Sequence, residues 1–280
     1  MINISLPHEL ESFRSKIEAT VKPFIEIKTR LVQDTSLTQS KFFGFPFLPK
    51  NISYPTTPDG DYLYLLAQIN FEEVPPIEYF PSTGILQFYI AGDGRYGWDY
   101  DNPTSQTNFR VLYFTDPDIA RSNLVTNFDF LETIWNYENH FFPFWICDSY
   151  TANRNDCFAL SFSVKSSPIS DCDYQFEKLI GSEIWDIVSE NGSDFWSVYR
   201  ERFAPGHRLS GYPNFCQVDP REPASSEDEE YILLLQIDSD GNALEKIYIE
   251  WSALGVGNFF IKKSDLLKLD FSKVLYSWDC

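Results

Sequence analysis

Short stretches of this chain alternate apolar and polar residues with period two, and most of them end at Gly, Pro, Asn or Asp. Residues 62–71, 84–91, 109–115, 158–164, 231–238, 246–251, 257–262 and 273–278 read this way or as short apolar runs. Successive strand side chains point to opposite faces, so these segments are expected to be β-strands. Asp240-Gly241, between 233–238 and 246–251, predicts a hairpin turn. Helical spacing is rarer. Leu6, Leu10, Phe13, Ile17 and Val21 share one helical face ahead of Pro23. Phe176, Leu179, Ile180, Ile184, Ile187 and Val188 form a second stripe over 175–190, stopped by Asn191-Gly192. Residues 193–203 make a weaker third, and 264–269 a single short turn. The pattern predicts an α+β fold, rich in mostly antiparallel β-structure, with an N-terminal helix.

Four blocks recur in order. Lys41-Phe42-Phe43-Gly44-Phe45-Pro46 matches Arg208-Leu209-Ser210-Gly211-Tyr212-Pro213, and Leu65-Leu66-Ala67-Gln68-Ile69-Asn70 matches Leu233-Leu234-Leu235-Gln236-Ile237-Asp238. The Gly-led block at 84–90 matches 255–261, and Arg110-Val111-Leu112-Tyr113 matches Lys273-Val274-Leu275-Tyr276. Preserved order predicts an internally duplicated unit. One body of 280 residues is expected: a helix and lead-in (1–39), a first repeat (40–116), a connector holding the helices (117–206) and a second repeat (207–280). Each unit alone would bury too little, so the two are expected to pack about a pseudo-twofold. Gln68 and Gln236 are expected to hydrogen-bond across it, with a shared polar site as the competing role.

Composition sharpens this picture. The 25 Phe, 16 Tyr and 7 Trp favour sheet surfaces. With 41 acidic against 22 basic residues the net charge is −19, which disfavours nucleic acid and anionic membrane and favours a basic protein or a cation as partner. The N-terminal residues do not read as a secretion signal, and no apolar run is long enough to span a bilayer. Cys147, Cys157, Cys172, Cys216 and Cys280 are scattered, without C-x-x-C spacing, and only His8, His140 and His207 could join them. Reduced thiols in a cytoplasmic protein, with no zinc and no other cofactor, are the expectation.

Candidate chemistry is sparse. There is no G-x-S-x-G elbow, P-loop, dinucleotide-binding glycine motif or H-E-x-x-H pair, so the reading leans away from an enzyme. In the glycine-rich loop 92–101, Asp93, Asp99 and Asp101 could take a cation or sugar hydroxyls, with Trp98 or Tyr100 as a stacking face and Arg95 beside them. Turn formation is the competing role for those aspartates. His207 and Arg208, opening the second repeat, complete the candidate ligand-binding set; a buried, hydrogen-bonded histidine is the competing role there. The acidic run Ser225-Ser226-Glu227-Asp228-Glu229-Glu230 is a solvated loop or a docking face for a basic partner. Three functions follow: an acidic interaction protein, a small-ligand or glycan binder, and a carboxylate-based hydrolase, in that order.

The blocks Ser40-Lys41-Phe42-Phe43-Gly44-Phe45-Pro46, Leu65-Leu66-Ala67-Gln68-Ile69-Asn70, His207-Arg208-Leu209-Ser210-Gly211-Tyr212-Pro213 and the ending Val274-Leu275-Tyr276-Ser277-Trp278-Asp279-Cys280 resemble the YwqG family of bacterial proteins, over roughly 40–280. The resemblance implies a cytoplasmic, internally duplicated α+β protein. It implies no activity and no catalytic residues. An immunity-type role beside a bacterial toxin is suggested for the family.

Overall fold

The chain is described by a computed structural model covering residues 6–131, 141–146, 152–191, 199, 206–221, 230–240 and 247–280. Its strands are β1 (Lys22–Val32), β2 (Lys41–Phe42), β3 (Tyr64–Asn70), β4 (Ile85–Ile90), β5 (Phe109–Phe114), β6 (Phe144–Ile146), β7 (Cys157–Ser167), β8 (His207–Leu209), β9 (Tyr231–Asp238), β10 (Ile247–Ile249), β11 (Val256–Lys262) and β12 (Leu275–Asp279). Ten of them form one sheet in the order β12-β11-β9-β8-β1-β7-β2-β3-β4-β5, and β6 pairs with β10. Every pairing is antiparallel.

Seven consecutive residues of β3 and six of β4 are buried. A strand covered on both faces needs no polar side, which is why these stretches are apolar apart from the buried Gln68, Asn70 and Gln87. The sheet curls until its two ends meet. Phe88 on β4 lies 4.8 Å from Phe259 on β11, and Phe109 on β5 lies 5.2 Å from Tyr276 on β12 (ring centroids). One core cluster therefore draws on Phe42, Leu66, Phe88, Leu234, Phe259 and Tyr276 together. The ladder slips once past Leu66, between β3 and β4, and once past Leu234, between β9 and β11. Such bulges add local bend.

The two flanks of the sheet use equivalent bonds. Lys41 faces Gln68 in the ladder, and Arg208 faces Gln236. Gln68 Oε1 accepts from Phe47 N (2.8 Å), and Gln236 Oε1 from Asn214 N (2.7 Å). Gln87 Nε2 donates to Phe47 O, and Asn258 Nδ2 to Asn214 O. The glutamines do not meet across an axis as expected. Four strands separate β3 from β9, and these bonds lock each glutamine to the lead-in loop of its own flank.

The structure corrects several expectations. β1, which is not among the expected strands, runs through the middle of the sheet. Ile25, Ile27, Thr29 and Leu31 alternate along it with Glu26, Lys28 and Arg30, and it forms an 11-residue ladder with β7. The connector 117–206 therefore contributes β7 to the sheet centre besides its helices. β9 pairs with β8 and β11 and not with β10; Asp240, at the expected hairpin turn, makes an isolated antiparallel bridge with Ile249, and Gly241 lies outside the described residues. The helical stripe over 175–190 is two helices, α2 (Phe176–Ile180) and α3 (Ile184–Asn191), divided at Gly181 with φ 108°. The N-terminal stripe begins as a 3-10 helix (His8–Phe13), continues as α1 (Arg14–Ala19) and gives way to β1. The short turn is α4 (Lys263–Leu267). Within 193–203 only Tyr199 is described.

Candidate functional site

The glycine-rich loop closes the molecule. Asp93 Oδ1 accepts from the backbone N–H of Arg95 and Gly97 (2.9 Å each), and Asp99 Oδ1 from those of Asp101 and Asn102 (3.1 and 3.2 Å). Both aspartates thereby shape turns. Arg95 O accepts from Trp278 Nε1 (2.7 Å), and Tyr96 O from the Tyr276 hydroxyl (2.9 Å). The Trp98 ring sits 6.3 Å from that of Trp278. Further along, Pro103 O accepts from Tyr276 N and Gln106 Nε2 donates to Phe271 O. The segment therefore straps the β4–β5 end of the sheet to β12.

His207 and Arg208 lie inside the sheet on β8, 4% and 3% exposed. His207 Nδ1 accepts from Asp238 N (3.0 Å), the bond that Ser40 Oγ accepts from Asn70 N (2.8 Å) on the other flank. Its Nε2 lies 3.6 Å from Asp240 Oδ2. That contact holds the Asp240 carboxyl below its ordinary range. Arg208 donates to Tyr212 O (3.3 Å) and covers the Phe24 ring at 4.4 Å. Burial lowers its pKa to about 10. Of the candidates, then, Asp93 lines a cleft, Arg95, Trp98 and Asp99 build the strap, and His207 and Arg208 hold the second flank.

The cleft at Asp93 encloses about 680 Å³ and is walled by Asp59, Asp61, Tyr62, Tyr64, Asn108 and Phe130. A tight turn presents its acids. Thr57 N donates to Asp61 O (2.8 Å), Asp61 N to Thr57 Oγ1 (3.2 Å), and Gly60 adopts φ 95°. The Tyr62 and Phe130 rings are 5.0 Å apart and about two-fifths exposed (41% and 40%), with Tyr54 behind them. Carboxylates beside open aromatic faces suit a cationic group, by charge and by cation–π attraction, or a stacked sugar. Asp59, Asp61, Tyr62 and Phe130 escaped sequence reasoning. The Asp-Gly-Asp-Tyr string at 59–62 was the available signal, and it reads as an ordinary turn.

A second cleft of about 680 Å³ opens on the first flank, between the 34–39 loop, residues 126–129 and residues 154–157. Lys41, 1% exposed, forms part of its wall; Nζ donates to Ser36 O (2.7 Å) and Phe45 O (3.0 Å). Burial pulls the pKa of this amine down to about 8. Arg154 donates to Asp129 Oδ1 (3.1 Å), Leu131 O (2.7 Å) and Phe128 O, and Arg121 stands exposed at the rim. Cys157 is buried in the wall, and burial pushes its thiol pKa up.

Among the described residues no three His, Cys, Asp or Glu are placed to hold a metal ion, and Cys157, Cys172, Cys216 and Cys280 are free thiols. Cys147 and residues 225–229 of the acidic run lie outside the described residues; Glu230 pairs with Lys22 at 3.2 Å. No described helix is long and apolar enough to cross a membrane.

No curated protein matches the chain at a significant level. A family match exists and covers residues 40–280, beginning after β1 and after the 34–39 loop that forms one wall of the second cleft. Over that span the chain belongs to the family described as Domain of unknown function (DUF1963).

Proposed function

We propose that this protein is a non-catalytic, acidic interaction module that receives basic side chains of a partner protein in the cleft of Asp59, Asp61, Asp93, Tyr62 and Phe130. The observation that carries the reading is that cleft's lining: carboxylates set beside half-exposed rings, on a chain of net charge −19. Such a surface attracts a Lys- or Arg-rich partner from a distance and repels phosphate backbones and anionic lipid. The missing catalytic motifs and scattered cysteines fit a cytoplasmic binding protein, and an immunity-type role, blocking a basic toxin surface, is its most specific form. Within its family we place the chain with the YwqG-like members on the blocks at 40–46, 65–70, 207–213 and 274–280. We also infer one duplicated body, supported by the matching ladder partners, bulges and amide bonds of the two flanks.

Association of a labelled Lys/Arg-rich peptide, measured by stopped-flow fluorescence at rising salt, tests the reading. The on-rate is expected to fall as salt screens the attraction over a Debye length of about 8 Å at physiological ionic strength. The Asp59→Asn/Asp61→Asn variant slows association, and Tyr62→Ala speeds dissociation. Neutralising Glu227, Asp228, Glu229 and Glu230 lowers the on-rate alone. Salt-independent binding that survives these changes overturns it. A neutral oligosaccharide that competes through Tyr62 and Phe130, with no salt dependence, moves the assignment to glycan binding.

A further inference from the structure

A buried cation is costly unless an opposite charge stands beside it. Arg221 meets that condition: its guanidinium bonds Asp219 (2.6 Å) and Asp173 (2.8 Å), both buried. Lys41 does not. Among the described residues no carboxylate lies within ion-pair distance of its Nζ, and the two bonds it makes go to neutral backbone carbonyls. Asp34 and Glu73 act on it only at longer range. A neutral amide could satisfy those carbonyls, so they account for the position of the group and not for its charge.

The unbalanced charge sits in the wall of a cleft whose size, about 680 Å³, falls within the range of small-molecule sites, roughly 300–1,000 Å³. Arg121 stands at its rim. Thr35, Asn127 and Asn155 supply hydroxyl and amide groups. The acids of the lining are partly committed: Asp129 to Arg154, and one oxygen of Asp34 to the Thr35 N–H (2.8 Å). The corresponding place on the second flank is filled. There the Tyr212 hydroxyl bonds Thr20 O (2.7 Å) and Lys22 lies 4.7 Å over the Tyr212 ring. We infer that this cleft is a binding site for a small hydroxylated anion, a phosphorylated or carboxylated sugar-like molecule, with its charged group paired to Lys41 and reached by Arg121. A chain of net charge −19 repels long polyanions, so a compact anion held by local cations is the class that fits.

Calorimetric titration and thermal melting of the whole protein, with inorganic phosphate, glucose 6-phosphate, gluconate and glucose as probes, test the inference. At least one charged probe is expected to bind and raise Tm, while glucose does neither. Preference between glucose 6-phosphate and gluconate identifies the charged group. Lys41→Met should weaken binding roughly ten- to a hundredfold, the value of a hydrogen bond to a charged group. Arg121→Gln, exposed and irrelevant to folding, should weaken it about threefold, as for a solvent-screened pair, and it decides the matter if Lys41→Met does not fold. Asp59→Asn in the other cleft should leave binding unchanged. The site is overturned if no charged probe binds, if glucose binds as well as its phosphate, or if the lysine or arginine substitution leaves affinity intact.

Discussion

The two corners of the sheet that begin at Lys41 and Arg208 share a frame and differ in what covers it. In each, two successive residues take positive φ (Phe43 and Gly44 at 73° and 76°, Ser210 and Gly211 at 62° and 73°), and a long cation returns to a carbonyl of its own loop. A glutamine on the neighbouring strand then pins the loop. At Arg208 the N-terminal segment closes over the frame, with Leu10, Phe13 and Ile17 joining Ile180 and Tyr212 in one apolar cluster. At Lys41 the cover is polar and incomplete, and a cleft remains. The local bonds are therefore scaffold. Whether a corner becomes core or site is settled by the segment that lies over it.

The largest expected effect probes the shared frame. A Cβ on Gly44 would stand 2.9 Å from Cys157 Cβ, and one on Gly211 2.8 Å from Phe24 Cβ, each at positive φ. Gly44→Ala and Gly211→Ala should each cost about 3–4 kcal/mol in urea unfolding, from backbone strain plus overpacking. A loss at one corner more than twice that at the other breaks the equivalence.

Next comes pH. The folded-state pKa of Lys41 lies below its unfolded value, so the charge penalty is fully present below about pH 8 and is relieved as pH rises toward the ordinary lysine range. The stability of the wild type relative to Lys41→Met should rise between pH 7 and 10, by up to about 3 kcal/mol. A flat difference shows that the lysine is solvated. A bound anion should suppress the slope near pH 8, by supplying the missing charge.

Smaller still, Gln68→Leu and Gln236→Leu each strand an N–H, the buried one of Phe47 and the partly buried one of Asn214, and should cost about 2 kcal/mol and about 1 kcal/mol respectively by thermal unfolding. Smallest of all, Asp59→Asn and Tyr62→Ala on the acidic cleft should leave stability within about 0.5 kcal/mol of wild type, because these side chains are exposed. Their effect belongs to peptide binding alone, and a large stability loss makes that cleft part of the scaffold.

The eight strands expected from alternation and apolar runs are all present, some with shifted ends, because each is written in neighbouring residues. β1 does alternate, Ile25, Ile27, Thr29 and Leu31 against Glu26, Lys28 and Arg30, but it follows directly on a helical stripe and Pro23 reads there as a stop. Its central place comes from the pairing with β7 and β8, and Lys28 and Arg30 remain exposed beside them. The candidate loop was legible as a loop, and Asp93 does reach a cleft. Nothing near Arg95 or Trp98 in the chain announced that they would meet Trp278 instead of a ligand. Lys41 looked like one element of a recurring block, and its unbalanced charge is a property of what surrounds it.

Strands, glycine turns, recurring blocks and acidic charge are all readable from neighbouring residues and composition, which are local quantities. The central place of β1, the role of the glycine-rich loop as a strap, and the filling of one corner while the other stays open come from the folded packing. Those outcomes depend on burial between segments remote in the chain, and the dielectric and packing around a side chain are set by neighbours that its own stretch of sequence does not contain.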